Sequence, residues 1–376
     1  MIGNVMKPVH AIATSASTAY RSTPGAAQPE VMKVTIVVLN YNYAHFLAQA
    51  IDSALAQTYA NCEVVVVDNG SKDHSLEVIQ RYGKRVRLVR QAVNIGQGQG
   101  YNLGFEAARG EWLIWLDADD LLDADAIATC MSMAQDDTSK VQFPLQLVDA
   151  QAKPLGGVVP FLRHHGDVVP LIHRFGHYAG PPGSGNLYRR SAIAPYFPVP
   201  PQDWPICTDT VPFITAPFHG KVVDTLKPLG SYRLHGKSAP DAPGYTGNFK
   251  VTMATEVRLN TGSRDRALAL LRGRSGIHID GPFLTLPVHV RHRIISWRSA
   301  PQTHPFSDDS SASLWRLMND SLRECPGYNG VQRLMMRAWA AGVLFLPKSL
   351  SQSVMGASGS SPMWSRVLRW SRSMGA

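Results

Sequence analysis

Between Val34 and Leu116 short β-branched apolar runs alternate with segments whose apolar residues recur at helical spacing, and no other feature restricts the possible folds so tightly. Val34-Thr35-Ile36-Val37-Val38-Leu39 is the first run, of the kind found in strands buried on both faces. Phe46, Leu47, Ala50, Ile51, Ala54 and Leu55 then form one apolar stripe of a helix. A second strand is predicted over 63–68, followed by a helix that Ser71 or Asp73 caps and Gly83 ends. A third strand is predicted at 86–89, a helix at 101–109 and a fourth strand at 112–116. Strands alternating with helices imply an α/β fold with a mostly parallel sheet covered on both faces, where ligands bind at the carboxyl ends of the strands.

Polar residues stand at those ends. Asp117-Ala118-Asp119-Asp120 closes the fourth strand, a costly place for carboxylates unless a cation or hydrogen-bond donors meet them. Mg²⁺ or Mn²⁺, which takes oxygen ligands from one or two carboxylates and from phosphates, is the natural partner. The competing explanation is that the acids cap a helix starting near Asp123. Asp68-Asn69-Gly70-Ser71 ends the second strand, where a carboxylate can accept the imide N–H of a uracil and the Asn-Gly turn admits close backbone approach, or where an ordinary turn caps a helix. Asn40-Tyr41-Asn42 ends the first and offers an aromatic face beside amides. The Gly-rich stretch 94–102 lacks the spacing of a dinucleotide fingerprint and the Gly-Lys-Ser/Thr ending of a P-loop.

Taken together, Thr35 to Asn42, Val67-Asp68-Asn69-Gly70-Ser71, Asn94-Ile95-Gly96 and Gly110 to Asp120 resemble, in order and spacing over residues 33–135, the family 2 glycosyltransferases of GT-A fold. The resemblance implies a nucleotide-sugar donor, usually linked through UDP, a Mn²⁺ or Mg²⁺ ion, and inversion at the anomeric carbon. It implies that Asn40, Tyr41 and Asp68 hold the nucleoside, that Asn94 and Gly96 line its loop, and that Asp117 and Asp119 hold the ribose and the metal–diphosphate, with Asp120 shaping the site. In the second half, Cys207-Thr208-Asp209, eleven residues before Gly220, stands where the family places a Glu-Asp pair, so Asp209 is the implied general base and Thr208 replaces the Glu. Asp203 competes for that role. Ser231-Tyr232-Arg233-Leu234-His235 is similar to a late element whose His235 can bind the metal or diphosphate, and a structural histidine is the other explanation. Arg189 and Arg190 fall in a segment that flanks the acceptor, or form a solvated basic turn.

A chain of 376 residues has room for more than one unit. A disordered lead-in is expected at 1–32 and a GT-A catalytic domain at 33–245, divided into a nucleotide-sugar half (33–135) and an acceptor half (136–245). A basic helical C-terminal appendage at 246–376 completes the chain. Residues 1–250 hold 21 Lys+Arg against 21 Asp+Glu, whereas 251–376 hold 16 against 7, so the whole net charge of +9 belongs to the last third. No acid follows Glu324, and Arg333, Arg337, Lys348, Arg366, Arg369 and Arg372 do. Basic residues mixed with Trp, as in 333–345 and 363–374, suit an anionic membrane surface or a helix packed on the core. No nucleic-acid motif accompanies them. The four cysteines show no Cys-x-x-Cys pair, which fits reduced thiols in a cytoplasmic protein, and no apolar run approaches the roughly 20 residues of a membrane span. The expected function is inverting sugar transfer to a glycan or lipid-linked acceptor in cell-surface polysaccharide synthesis, by a cytoplasmic protein peripheral on the membrane. The alternatives are a non-catalytic nucleotide-sugar or membrane-surface binder of the same fold, and a nucleotidyltransferase.

Overall fold

The computed structural model describes residues 32–235 and 251–357. The expected lead-in, apart from Met32, and the basic stretch 363–374 lie outside the described residues.

The alternation becomes β1 (Val34–Asn40), α1 (Ala44–Leu55), β2 (Cys62–Asn69), α2 (Ser75–Gln80), β3 (Arg87–Gln91), α3 (Gln97–Ala107) and β4 (Trp112–Asp117). After these come β5 (Leu121–Leu122), α4 (Ala126–Met133), β6 (Thr138–Gln142), β7 (Leu145–Val148), β8 (Pro154–Val159), α5 (Val169–Phe175), β9 (Asn186–Arg189), α6 (Arg190–Ile193), α7 (Thr210–Thr215), β10 (Lys221–Asp224) and β11 (Gly230–Arg233). The C-terminal third is helical: α8 (Met253–Ser275), α9 (Pro287–Ser299), α10 (Ser311–Glu324), α11 (Gly330–Phe345) and α12 (Lys348–Ala357).

The main sheet runs β10-β6-β9-β4-β1-β2-β3, with β9 antiparallel to both neighbours and every other pair parallel. Because side chains alternate along a strand, each strand feeds two cores. Val34, Ile36 and Val38 of β1, with Ile114 and Leu116 of β4, pack under Leu47, Ile51 and Ile127 of α1 and α4. Val37, Val65, Leu113 and Trp115 point the other way, toward Tyr101 of α3, Val211 and Ile214 of α7, and Ala267, Leu268 and Leu271 of α8. Val34, Ile36, Val37 and Val38 have no exposed surface, each burial contributing about 1.5–3 kcal/mol relative to an exposed side chain. A smaller sheet, β5-β11-β7-β8, holds the other strands, while β6, β9 and β10 of the expected acceptor half join the main sheet. The helices α9 to α12 have their own core around Ile294, Leu314, Met318 and Trp339, which Met253 of α8 joins.

Helix α3 starts at Gln97, four residues before the start expected from the sequence, because its glycines are packing devices and not loop formers. A Cβ on Gly98 would lie 2.9 Å from Trp204 Cβ, and one on Gly104 would lie 2.7 Å from Val37 Cγ1. The helix expected near Asp123 starts at Ala126, and Asp125 precedes it without a capping bond from its side chain. Helix α9, absent from the sequence reading, has Val290, Ile294 and Ile295 buried while His289, Arg291, His292 and Arg293 interrupt its apolar stripe.

Candidate active site

At the end of β4 the chain turns sharply, with Asp120 N–H donating to Asp117 O at 3.0 Å, and three carboxylates converge within 4.8 Å of one another: Asp117, Asp119 and Asp120. Their neighbours separate their roles. Asp120 is buried and hydrogen-bonded, accepting from Ser184 Oγ at 2.6 Å and from Arg233 N–H at 3.1 Å. Arg233 Nε also donates to the Asp119 carbonyl at 2.7 Å, which locks the turn to β11. Asp119 meets His235 Nε2 at 2.8 Å. Burial first, then the charges of Asp119 and Asp209, pushes the Asp117 carboxyl up to about 8. Burial first, then the charges of Asp119 and Asp117, holds Asp120 well above the usual carboxylate range. Like charges in a dry corner favour a cation, and oxygen ligands with one imidazole suit Mn²⁺ or Mg²⁺. Asp117 and Asp119 can hold such an ion with His235 beside them, whereas Asp120 is already committed to Ser184 and Arg233.

Against this cluster lies a cavity of about 270 Å³, walled by the carboxyl ends of β1, β2 and β4. Asn40 and Tyr41 border it on one side and Asn94 and Gly96 on another, with Asp117 and Asp119 at the acidic end. Gly96 is required there by its φ of +100° and because a Cβ would come within 3.0 Å of Pro205 Cα. Asp68, expected to meet the nucleoside, is not on the cavity wall. Asp68 has no exposed surface, and its carboxylate accepts from Asn40 Nδ2 at 2.9 Å and from Ser71 N–H at 3.3 Å. It holds Asn40 in place, and the next residue, Asn69, stands on the cavity wall. Asn69 Nδ2 donates to Asn94 Oδ1 at 3.1 Å and to Gly96 O at 2.8 Å, tying β2 to the loop before α3. The buried Oδ1 atoms of Asn40 and Asn69 lack hydrogen-bond partners among the described residues.

Asp209 precedes α7 and faces Asp117 across Gly183, where a Cβ would lie 3.7 Å from Asp209 Cβ and 3.8 Å from Asp117 Oδ2. Burial holds its carboxyl above the usual range. Behind it is Lys140, without exposed surface, whose Nζ donates to Tyr178 Oη at 3.0 Å and sits 3.8 Å from the centre of the Phe213 ring. Desolvation lowers the Lys140 ammonium well below its ordinary range, and the charges of Asp224 and Asp209 oppose that shift. Thr208, at the expected Glu position, is buried, donates its N–H to Gln97 Oε1 at 2.8 Å, and leaves its Oγ1 without a hydrogen-bond partner. Asp203 is exposed on a 3-10 turn, Pro201–Asp203, and is not part of the cavity wall.

Arg189 and Arg190 are not brought to this site. In the ladder Arg189 pairs with Trp112, at the amino end of β4, and the cluster stands at the opposite end of that strand. Its guanidinium donates to Thr138 O and Gln135 O and lies over the Trp112 ring, and Arg190 stacks on Phe105. Ser184, Asn69 and Lys140 escaped the sequence reading because serine, asparagine and lysine carry no distinguishing pattern until the fold places them.

The sequence model of Glycosyl transferase family 2 matches residues 35–196. An uncharacterised glycosyltransferase of Nostoc sp. is 35% identical over 214 residues, which is 54% of this chain and 66% of that protein. A Rickettsia typhi relative, also an uncharacterised glycosyltransferase, is 33% identical over 152 residues, 38% of this chain and 48% of its own. The chain thus spans between about half and two thirds of the length of these relatives. Among solved structures, S. aureus TarS 1-349 in complex with UDP-GlcNAc aligns over 92% of both chains at 12% identity with a TM-score of 0.49. The Pyrobaculum calidifontis mannosyltransferase PcManGT, in complex with GDP-Man and Mn²⁺, aligns over 89% of this chain and 88% of its own at 15% identity and a TM-score of 0.45. The matched stretch carries Asn40, Tyr41, Asn69, Asn94, Gly96, Asp117 and Asp119 of the cavity wall, and residues 35–196 are those of a glycosyl transferase family 2 domain.

Proposed function

We propose that this chain transfers a sugar from a nucleotide donor, UDP-linked, to a hydroxyl of a glycan or lipid-linked acceptor with inversion, in cell-surface polysaccharide synthesis. The observation that supports this best is the meeting of Asp209 with the Asp117–Asp119 pair across Gly183, at the acidic end of a cavity open to a nucleoside. In this reading Tyr41 offers its exposed ring to the base, and the Oδ1 atoms of Asn40 and Asn69 accept the donor's N–H groups. Asp117 and Asp119, with His235, hold Mn²⁺ or Mg²⁺, and the ion would offset charge growing on the leaving diphosphate. Asp209 takes the proton of the acceptor hydroxyl as that oxygen attacks the anomeric carbon from the side opposite the diphosphate. One displacement inverts the centre. With Arg189 and Arg190 elsewhere, the acceptor approaches past the loop that carries Gly183.

No helix among the described residues is long and apolar enough to cross a membrane. A peripheral position on the cytoplasmic face of an anionic membrane is supported by the exposed Leu334, Phe345 and Leu350 on α11 and α12, with Lys348 beside them.

The test is a panel of nucleotide sugars and acceptors, with and without Mn²⁺, read as release of nucleoside diphosphate. The unpartnered Thr208 Oγ1, in place of a Glu, favours one other reading, a non-catalytic binder of nucleotide sugars. Donors that bind without being hydrolysed or transferred would establish it, and release of pyrophosphate would point to nucleotidyl transfer.

A further inference from the structure

Two cavities flank α9, away from the acidic cluster, and they differ sharply in chemistry. One, about 350 Å³, is apolar, with Leu162, Val288, Met335, Met336 and Trp339 in its wall. The other, about 200 Å³, is polar: Arg264, Arg293, His177, His289 and Asn260 line it, and no carboxylate does. Arg264 and Arg293 are paired to Asp265 and Asp309, neither of which belongs to the wall. Leu286 and His289 belong to both cavities, so they adjoin across one helix. Trp339 is buried and its Nε1 has no hydrogen-bond partner.

The segment that walls both cavities also reaches the catalytic pair. His177 is in the polar wall and stacks on Phe213 of α7, with ring centroids 5.1 Å apart. Ala179 and Gly180 are in the apolar wall, and Gly183 lies between Asp117 and Asp209. On α11, whose Met335, Met336 and Trp339 wall the apolar cavity, Val331, Leu334 and Phe345 are exposed.

We infer that the paired cavities hold a lipid with an anionic head, its hydrocarbon chain between Leu162, Met336 and Trp339 and its head against Arg264 and His289. Resting on the transferase reading, this lipid is the carrier of the acceptor hydroxyl. The apolar volume lies at the lower end of the range of small-molecule sites, which suits a prenyl or alkyl chain and excludes a large fused ring system.

The probe is farnesyl phosphate, titrated calorimetrically into the full chain below its aggregation concentration, with farnesol and inorganic phosphate as separate arms. Saturable one-to-one binding of farnesyl phosphate is expected, with inorganic phosphate far weaker. Met336→Trp and Leu162→Trp, each filling the apolar cavity, are expected to lose about tenfold or more in affinity. Arg264→Gln is expected to weaken farnesyl phosphate and leave farnesol unchanged. Thermal unfolding identifies a variant that has failed to fold, in which case the other cavity-filling variant decides. The proposal is overturned by the absence of saturable binding, by affinity unchanged in the folded cavity-filling variants, or by phosphate binding as well as the farnesyl ester. Because the titration needs neither donor nor turnover, a chain that binds the probe yet never releases nucleoside diphosphate refutes the transferase reading alone.

Discussion

Asp209 and Asp117 stand on opposite sides of one glycine, and their tasks separate by what each can lose. Asp209→Asn keeps the shape and removes the proton acceptor, so transfer is expected to fall by about 10²–10⁴-fold while calorimetric donor affinity stays within about twofold. Near-normal transfer would make Asp203 the base. Asp119→Ala removes a carboxylate from the cation corner, and Mn²⁺-dependent donor binding is expected to disappear in the same titration. A third group of residues reports through stability. Burial first, then neighbouring cations and imidazoles, lowers His177 to about 3, and burial with Arg264 nearby lowers His289 to about 4, from an ordinary 6.5. The unfolded chain therefore binds protons that the fold refuses between pH 6.5 and about 4, and stability falls as pH drops through that window. Urea midpoints measured from pH 7 to 4 are expected to decline, and more shallowly in His289→Gln.

At the level of elements, the donor side was legible and the acceptor side was not. The strands β1, β2 and β4 announce themselves because they are buried on both faces, so nearly every residue from Val34 to Leu39 must be apolar whatever its neighbours are. The acids at their ends are conspicuous for the same reason. Asp68 falls off the cavity wall because a sequence shows which residue ends a strand but not which face its side chain takes, and one position along, at Asn69, the face reverses. Arg189 and Arg190 were misplaced because nothing in their surroundings shows that β9 runs antiparallel, which sends them to the far end of the sheet. The turn after β2 offers its own test. Gly70 has φ +79°, and a Cβ there would sit 2.5 Å from Asn94 N. Gly70→Ala is expected to cost about 1–3 kcal/mol by denaturant titration and to weaken donor binding, since the strained turn displaces Asn94 from the cavity wall.

Across the whole molecule, the neutral first two thirds and the basic last third share a core. Ala267, Leu268 and Leu271 of α8 pack with Val211 and Ile214 of α7, beneath the same sheet that carries the donor strands. Leu271 is fully buried, and Leu271→Ala is expected to cost about 2–5 kcal/mol and to lower one calorimetric transition rather than split it. A separate early transition, with donor binding retained above it, would show that the helical third melts alone. The reversed strand β9 has a further consequence. Entering the main sheet from the edge where β4 ends, it brings Gly183 and Ser184 to the aspartates as the last residues of a long excursion from β8. In the proposed reading the donor is held by strands β1, β2 and β4 of a parallel ladder, whose register an insertion would shift, whereas the excursion can grow or shrink between fixed ends. Descendants of such a chain would exchange acceptors long before they exchanged donors.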